Sequence, residues 1–190
     1  MATQLNLFAR SDGLPEGFRY APDVIPAEQE SALVAAFAEL PFKEFEFHGY
    51  LGKRRIVSYG CRYDYGARAL RPSQDIPDFL LAVRQRAARF TAIPATALQQ
   101  ILVTEYRPGA AIGWHKDKPE FGAVVGVSLL SPCTFRLRRA SGGAWQRASL
   151  TIEPRSAYLM TGPVRTEWEH SIPGVDRLRY SITFRTLQPR

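Results

Sequence analysis

The chain has 190 residues, 45% of them hydrophobic, 12% aromatic and 23% charged, with a formal net charge of +7. That length suits one domain with a full hydrophobic core, and the balance excludes wholesale disorder. No apolar run is long enough to span a bilayer, residues 1–10 lack the order of a secretion signal, and two cysteines are too few for a disulfide framework. The expectations are therefore no membrane partner, a cytoplasmic location, a monomer and two unbridged thiols, while the positive surplus favours a polyanion such as nucleic acid.

The first twenty residues read as a lead-in. A helix opens at Pro26, with acids in its first turn and Leu33, Phe37 and Leu40 at helical spacing, and Pro41 ends it. Residues 42–66 change character. Phe42, Tyr50, Tyr59, Tyr63 and Tyr65 alternate with Lys43, Lys53, Arg54, Arg55 and Arg62, punctuated by glycine, which predicts strands and hairpins. A second helix follows Pro77, with Phe79, Leu80, Val83 and Ala87 on one side. From Leu98 on, short β runs recur at 101–106, 124–130, 134–137, 148–152, 157–160 and 179–186, separated by turn residues, which predicts a sandwich, jelly roll or barrel.

Three histidines are present, and two have distinctive neighbours: Trp114-His115-Lys116-Asp117 and Glu169-His170-Ser171. On a strand, residues two apart share a face, so His115 and Asp117 point the same way. Two imidazoles and a carboxylate can hold one face of an iron(II) ion and leave the other positions open, although a hydrolytic zinc site fits the same ligands. The last strand adds a second element. Alternation puts Arg179, Ser181, Thr183 and Arg185 on one face and Tyr180, Ile182 and Phe184 on the other. Two arginines on one face suit a dicarboxylate such as 2-oxoglutarate, because guanidinium binds carboxylate through paired, charge-assisted hydrogen bonds.

His-x-Asp, a distant His, and Arg-x-Ser-x-Thr-x-Arg together resemble the AlkB family of nucleic-acid dioxygenases, over roughly residues 40–187. The resemblance implies a double-stranded β-helix (jelly roll) core of α+β class, at about 98–187. N-terminal helices and a hairpin nucleotide-recognition lid at about 40–72 would complete a single dioxygenase domain over 1–190. It implies Fe(II), 2-oxoglutarate and O2 as cofactors, with iron on His115, Asp117 and His170. Arg179 would take the distal carboxylate of 2-oxoglutarate and Arg185 its keto-acid end, with Tyr106, Thr104 and Ser181 alongside. The implied reaction is oxidative demethylation of alkylated bases in DNA or RNA, in repair or RNA modification. In the lid, Lys53-Arg54-Arg55 and Ser58-Tyr59-Gly60 resemble the family's segment, and Tyr63 and Tyr65 match its paired base-contacting aromatics. A base must leave its stack to be modified, and an aromatic ring replaces the lost stacking. His48 reads as a lid contact; Arg138 and Arg139 are candidates for the cleft, although Arg136 and Arg138 alternate as a solvated face would. Where repair members carry an acid two residues after the aspartate, this chain has Pro119 and then Glu120, which makes Glu120 the candidate base contact. The competing readings are a 2-oxoglutarate-dependent hydroxylase of a protein or small molecule, a nucleic-acid-binding module without activity, and a zinc hydrolase.

Overall fold

The computed structural model describes residues 13–47 and 50–188, those at 45–47 and 50–52 by backbone alone, so His48 lies outside the described residues. The elements run β1 (Phe18–Ala21), α1 (Ala27–Phe37), β2 (Lys43–Phe47), β3 (Tyr50–Tyr59), β4 (Cys61–Asp64), β5 (Ala69–Pro72), α2 (Asp78–Thr91) and a 3-10 turn (Ala95–Ala97). There follow β6 (Gln100–Tyr106), β7 (Ile112–His115), β8 (Phe121–Leu129), β9 (Cys133–Ser141), β10 (Ala144–Ile152), β11 (Ala157–Met160), α3 (Gly162–Thr166), β12 (Glu169–Ile172) and β13 (Arg179–Leu187).

The strands form a seven-stranded sheet ordered β1-β11-β8-β13-β6-β3-β2 and a four-stranded sheet ordered β10-β9-β12-β7, with β4-β5 as a separate hairpin. Two cores explain the layering. In the first, Leu33 and Phe37 of α1 and Leu80, Val83 and Ala87 of α2 pack on Val57, Ile101, Val103, Val125, Val127, Ile182 and Phe184 of the large sheet. Each large apolar side chain buried there stabilises the fold by about 2 kcal/mol. In the second, Phe18, Val124, Tyr158 and Met160 of the large sheet meet Phe135, Leu137, Ile152 and Ile172 of the small one. The two sheets therefore face each other in the jelly-roll manner, with helices on the outer face of the larger. Gly126 belongs to this inter-sheet packing, because a Cβ there would collide with the Tyr158 ring.

Both expected helices and the expected β runs are present, and Pro26 and Pro77 stand at the helix starts. The lead-in proves to contain β1, which pairs with β11 along its whole length. Cys61 is half-buried and Cys133 buried, and both are free thiols. Among the described residues no helix is long and apolar enough to cross a membrane.

Candidate metal and co-substrate site

Two four-residue strands bring the histidines together. His115 ends β7, His170 is the second residue of β12, and they are direct cross-strand partners. Their ring centroids lie 4.2 Å apart. The His170 ring also stacks on Phe135, 5.4 Å away and 13° from parallel. Burial is the main cause that pushes both imidazoles down, His170 to about 3, so both are neutral near pH 7.

Asp117 reaches this spot by a different route from the one the sequence suggests. β7 ends at His115, so Asp117 lies in the following loop and strand alternation does not aim it. Two arginines do. Arg165, from the short helix α3 and only 8% exposed, donates to the backbone carbonyls of Asp117 (3.3 Å), Lys118 (2.5 Å), Phe121 (2.7 Å) and Gly122 (3.0 Å). It thereby pins the turn from Asp117 to Gly122. Arg185 donates from Nε and Nη2 to Asp117 Oδ1, at 3.0 and 2.9 Å, and from Nη1 to Gln100 Oε1 at 2.7 Å. Burial alone would raise the Asp117 carboxyl, but Arg185 leads a set of neighbours that outweighs it and holds the group well below the ordinary carboxylate range.

Asp117 Oδ2 is 3.7 Å from His170 Nε2, beyond hydrogen-bonding distance. His115 turns Nδ1 to the Gly113 carbonyl at 2.9 Å. Among the described residues no three His, Cys, Asp or Glu side chains close around a common point, so the three groups approach pairwise. Their chemistry nevertheless suits iron(II). Two neutral imidazoles and one ionised carboxylate are the protonation states in which these side chains ligate, and none spends its donor atoms on another of the three.

The two-faced reading of β13 holds. Tyr180, Ile182 and Phe184 lie in the helix-side core, whereas Arg179, Ser181 and Thr183 are buried on the opposite face at 1%, 5% and 8% exposure. A solvated face is thereby excluded. Register places Arg179 beside Tyr106 and Ser181 between Thr104 and Ser128. The Arg179 guanidinium lies 4.7 Å from the centroid of the Tyr106 ring and donates from Nε to Ser128 Oγ at 3.2 Å. Its Nη1 is buried with no hydrogen-bond partner. A buried cation with an open donor is costly unless an anion completes it, which fits a ligand carboxylate.

The expected substrate residues divide. Arg54 is the cross-strand partner of Tyr106 and shares its face of the sheet. Desolvation lowers its pKa, and its electrostatic neighbours include Tyr65, Asp117 and Arg185. Arg55, one residue on, faces the other way and makes a two-pronged ion pair with Glu105, 2.8 Å at each prong, so its expected substrate role is corrected to a structural one. Tyr59 is likewise corrected: at 4% exposure it belongs to the hydrophobic core and offers no surface to a substrate. Tyr63 and Tyr65 pack edge to face, 5.2 Å apart, and the Lys118 ammonium sits 5.0 Å from each ring. One carboxylate oxygen of Glu120 is buried without a partner. Arg138 does not reach the cleft. It alternates with Leu137, which faces the inter-sheet core beside His170, and so projects from the outer face. Arg139, on the inner parity, is taken up by Glu167, Gln146 and the Trp168 ring.

Several residues escaped the sequence reading. Ser128 interrupts an apolar β run at an inward position, a signal that was available. Gln100 is reached only through its register with Arg185, and Arg165 and Lys118 carry no such mark, because their contacts form between segments distant in the chain.

A family model described as the 2OG-Fe(II) oxygenase superfamily matches residues 17–185. An Arabidopsis thaliana protein described as an alkylated DNA repair protein, ALKBH8 homolog, is 25% identical over 196 residues, covering 90% of this chain and 55% of that protein. The Bos taurus mitochondrial alpha-ketoglutarate-dependent dioxygenase alkB homolog 7 is 34% identical over 80 residues, 40% of this chain and 35% of that protein. The chain thus spans about half the length, or less, of the curated relatives it matches. Among solved structures, OsALKBH1 superposes with a TM-score of 0.68 at 17% identity, over 91% of this chain and 98% of that one. A Pseudomonas putida prolyl-4-hydroxylase superposes at 0.60 and 15%, over 92% and 94%. At these identities the two superpositions speak for the jelly-roll fold. The family match shows that the chain belongs to the 2OG-Fe(II) oxygenase superfamily, whose members use Fe(II), 2-oxoglutarate and O2, and its curated relatives there include alkB-type proteins.

Proposed function

We propose that this chain is an oxidative demethylase of N-alkylated bases in DNA or RNA. One observation carries the reading: the aromatic pair of the β4-β5 hairpin, half-buried Tyr63 and exposed Tyr65, meets Lys118, the residue next to Asp117. A stacking surface at the rim of the ligand loop is what an extruded base requires. Arg54 adds a cation to the same cleft.

In this reading His115, Asp117 and His170 hold the iron, and Arg179 receives the distal carboxylate of 2-oxoglutarate on its open Nη1, with Thr104, Tyr106 and Ser181 beside it. Arg185 stands at the keto-acid end and fixes the orientation of Asp117. Iron(II), 2-oxoglutarate and O2 supply the oxidation of a C–H bond on the substrate's alkyl group, with succinate and CO2 as co-products. A hydroxylated N-methyl carbon is a hemiaminal, which releases formaldehyde and leaves the free base. The protein's part is to keep the imidazoles neutral, hold the carboxylate ionised, orient the co-substrate by its far end and seat the base on the tyrosine pair. Glu120 is the candidate for reading the base edge.

The test is formaldehyde release by iron-loaded protein from a panel of N-methylated DNA and RNA oligonucleotides, with His115→Ala as the blank. Release above the blank supports the reading. If 2-oxoglutarate is consumed only with protein or small-molecule fractions of a cell extract, the substrate lies outside nucleic acid.

A further inference from the structure

The four-stranded sheet has a second side. Strand alternation turns His115 and His170 inward, and the same alternation turns their neighbours outward. Trp114 precedes His115 on the edge strand β7. Arg136 and Arg138 flank the inward Leu137 on β9, and Arg147 on β10 is the cross-strand partner of Arg138, with Trp145 two residues earlier on the same face.

These side chains form a layered stack. The Arg138 guanidinium lies 4.3 Å from the Trp114 ring centroid and 4.2 Å from that of Trp145, and so sits between two indoles. Arg136 approaches Trp114 at 5.1 Å and donates to Ser171 Oγ at 3.0 Å. Glu169 pairs with Arg138 at 2.6 Å and is the face's one carboxylate among the described residues; neither Arg136 nor Arg147 has an ion pair there. Trp145 is 42% exposed, and among the described residues it and Tyr65 are the exposed large aromatics.

A stack of this composition needs an explanation. Arginine between indoles gains from cation–π attraction, but an outermost indole left in water does not. What the open indole and the unpaired arginines match together is a flexible polyanion that carries flat rings: bases stack on aromatics and guanidinium planes, and phosphates meet the cations. An acidic protein surface would satisfy the charge but not the ring.

We propose that the outer face of the four-stranded sheet, built on Trp114, Arg138 and Trp145 with Arg136 and Arg147, is a second binding surface for single-stranded nucleic acid, back to back with the candidate metal face. It goes beyond the demethylase reading, because it concerns binding at a place where no chemistry occurs. Strand β7 joins the two sides. It carries Trp114 and His115 on opposite faces and runs directly into the loop of Asp117 and Lys118, so a strand held on the platform can continue over one edge strand to the lid.

The experiment measures fluorescence anisotropy of labelled, unmethylated single-stranded oligonucleotides, one DNA and one RNA, across a salt series. The proteins are wild type, Trp145→Ala, Arg147→Glu, the double variant, and Tyr65→Ala as a lid control. The double variant is expected to bind at least about tenfold more weakly, and loss of the arginine contact to lower the salt slope by roughly 0.7. Uncoupled 2-oxoglutarate turnover and the melting temperature should stay at wild-type values. Demethylation of a methylated mononucleotide, too short to reach the platform, should also persist if the demethylase reading holds. Because the anisotropy arm uses unmethylated strands, failure of that reading leaves the binding result intact. Unchanged affinity and salt slope in the double variant would overturn the proposal. So would displacement of the oligonucleotide by polyglutamate at equal charge concentration, which would assign the face to acidic proteins.

Discussion

The floor and the lid of the cleft are built on opposite principles. On the floor, Arg179, Ser181, Thr104 and Tyr106 are fixed by register, because β13 lies between β6 and β8, while side-chain hydrogen bonds from Arg165 and Arg185 hold the loop of Asp117. The lid hairpin β4-β5 has two strands, and a hairpin of that size is marginal by itself. It is tied to the body at its base, by the Tyr59–Gln74 bridge and the Ser73 hydroxyl on the Ser58 carbonyl at 2.9 Å, and by the Lys118 contacts with Tyr63 and Tyr65. On the function proposed above, the difference teaches that the reaction machinery tolerates little displacement, while the surface that chooses the substrate can adapt. Substitutions in the floor should therefore act on co-substrate, metal or folding, and those in the lid on substrate alone.

The sharpest break of that division is at Arg179. Removing one partner of a buried charge pair costs about 2–5 kcal/mol of binding, so Arg179→Met should raise KM for 2-oxoglutarate by roughly two to three orders of magnitude. Its melting temperature should fall only modestly, because the guanidinium gives up one hydrogen bond, to Ser128 Oγ, and its buried Nη1 has no partner in the protein to lose. Steady-state succinate formation and a thermal melt read both quantities. A large loss of stability with an unchanged KM would make Arg179 a structural residue.

Glu105 tests the floor's framework. Its carboxylate, 6% exposed, takes Arg55 at 2.8 Å and Arg107 at 2.9 Å, and Tyr180 donates to it at 3.3 Å. Because the two arginines are 30% and 60% exposed, Glu105→Gln should cost about 2 kcal/mol rather than the full value of a buried pair. The pH dependence has a definite sign. Burial alone would raise the Glu105 pKa, but Arg55 and Arg107 bring it below the ordinary value. A depressed carboxylate stabilises the fold above its unfolded pKa, about 4.3, and loses that contribution as pH falls through the folded one. The melting-temperature gap between wild type and variant should stay constant above about pH 5 and close in more acid solution. A gap that widens in acid would refute the assignment.

How much of this was legible in the sequence follows the same division. The two faces of β13 could be read because alternation is local: Arg179 and Ser181 went in and Ile182 and Phe184 went to the helices as the spacing required. Alternation also carries the correction of Arg55, since consecutive strand residues cannot both face the cleft. For Asp117 alternation fails, because β7 ends at His115. The placement of Asp117 comes from Arg165 and Arg185, 48 and 68 residues away in the chain, and no spacing rule reports such contacts. Tyr59 looked like its lid neighbours because an aromatic residue in a hairpin carries no mark of which side it packs on.

Arg165 offers the next contrast. It touches none of the three candidate ligands through a side chain, yet its hydrogen bonds hold the loop of Asp117. Groups that orient a metal ligand are worth about 10–100-fold in metal affinity, so Arg165→Leu should weaken iron binding by that factor. Anaerobic titration of Fe(II) into protein with 2-oxoglutarate, followed by the visible charge-transfer band, measures it. Unchanged iron affinity together with a lowered melting temperature would reduce Arg165 to a loop staple.

The smallest effect separates two tyrosines six residues apart. Base–aromatic stacking is worth about 1–3 kcal/mol, so Tyr65→Ala should slow turnover of a methylated oligonucleotide about tenfold. It should leave uncoupled 2-oxoglutarate consumption and the melting temperature unchanged, because the ring is 44% exposed. Tyr59→Phe keeps its ring in the core and removes only a hydroxyl, so it should change neither turnover nor stability by more than a small factor. Loss of oligonucleotide turnover in Tyr59→Phe would return Tyr59 to the substrate surface. Loss of uncoupled turnover in Tyr65→Ala would show that the lid helps to assemble the metal site, and floor and lid would then have to be treated as one unit.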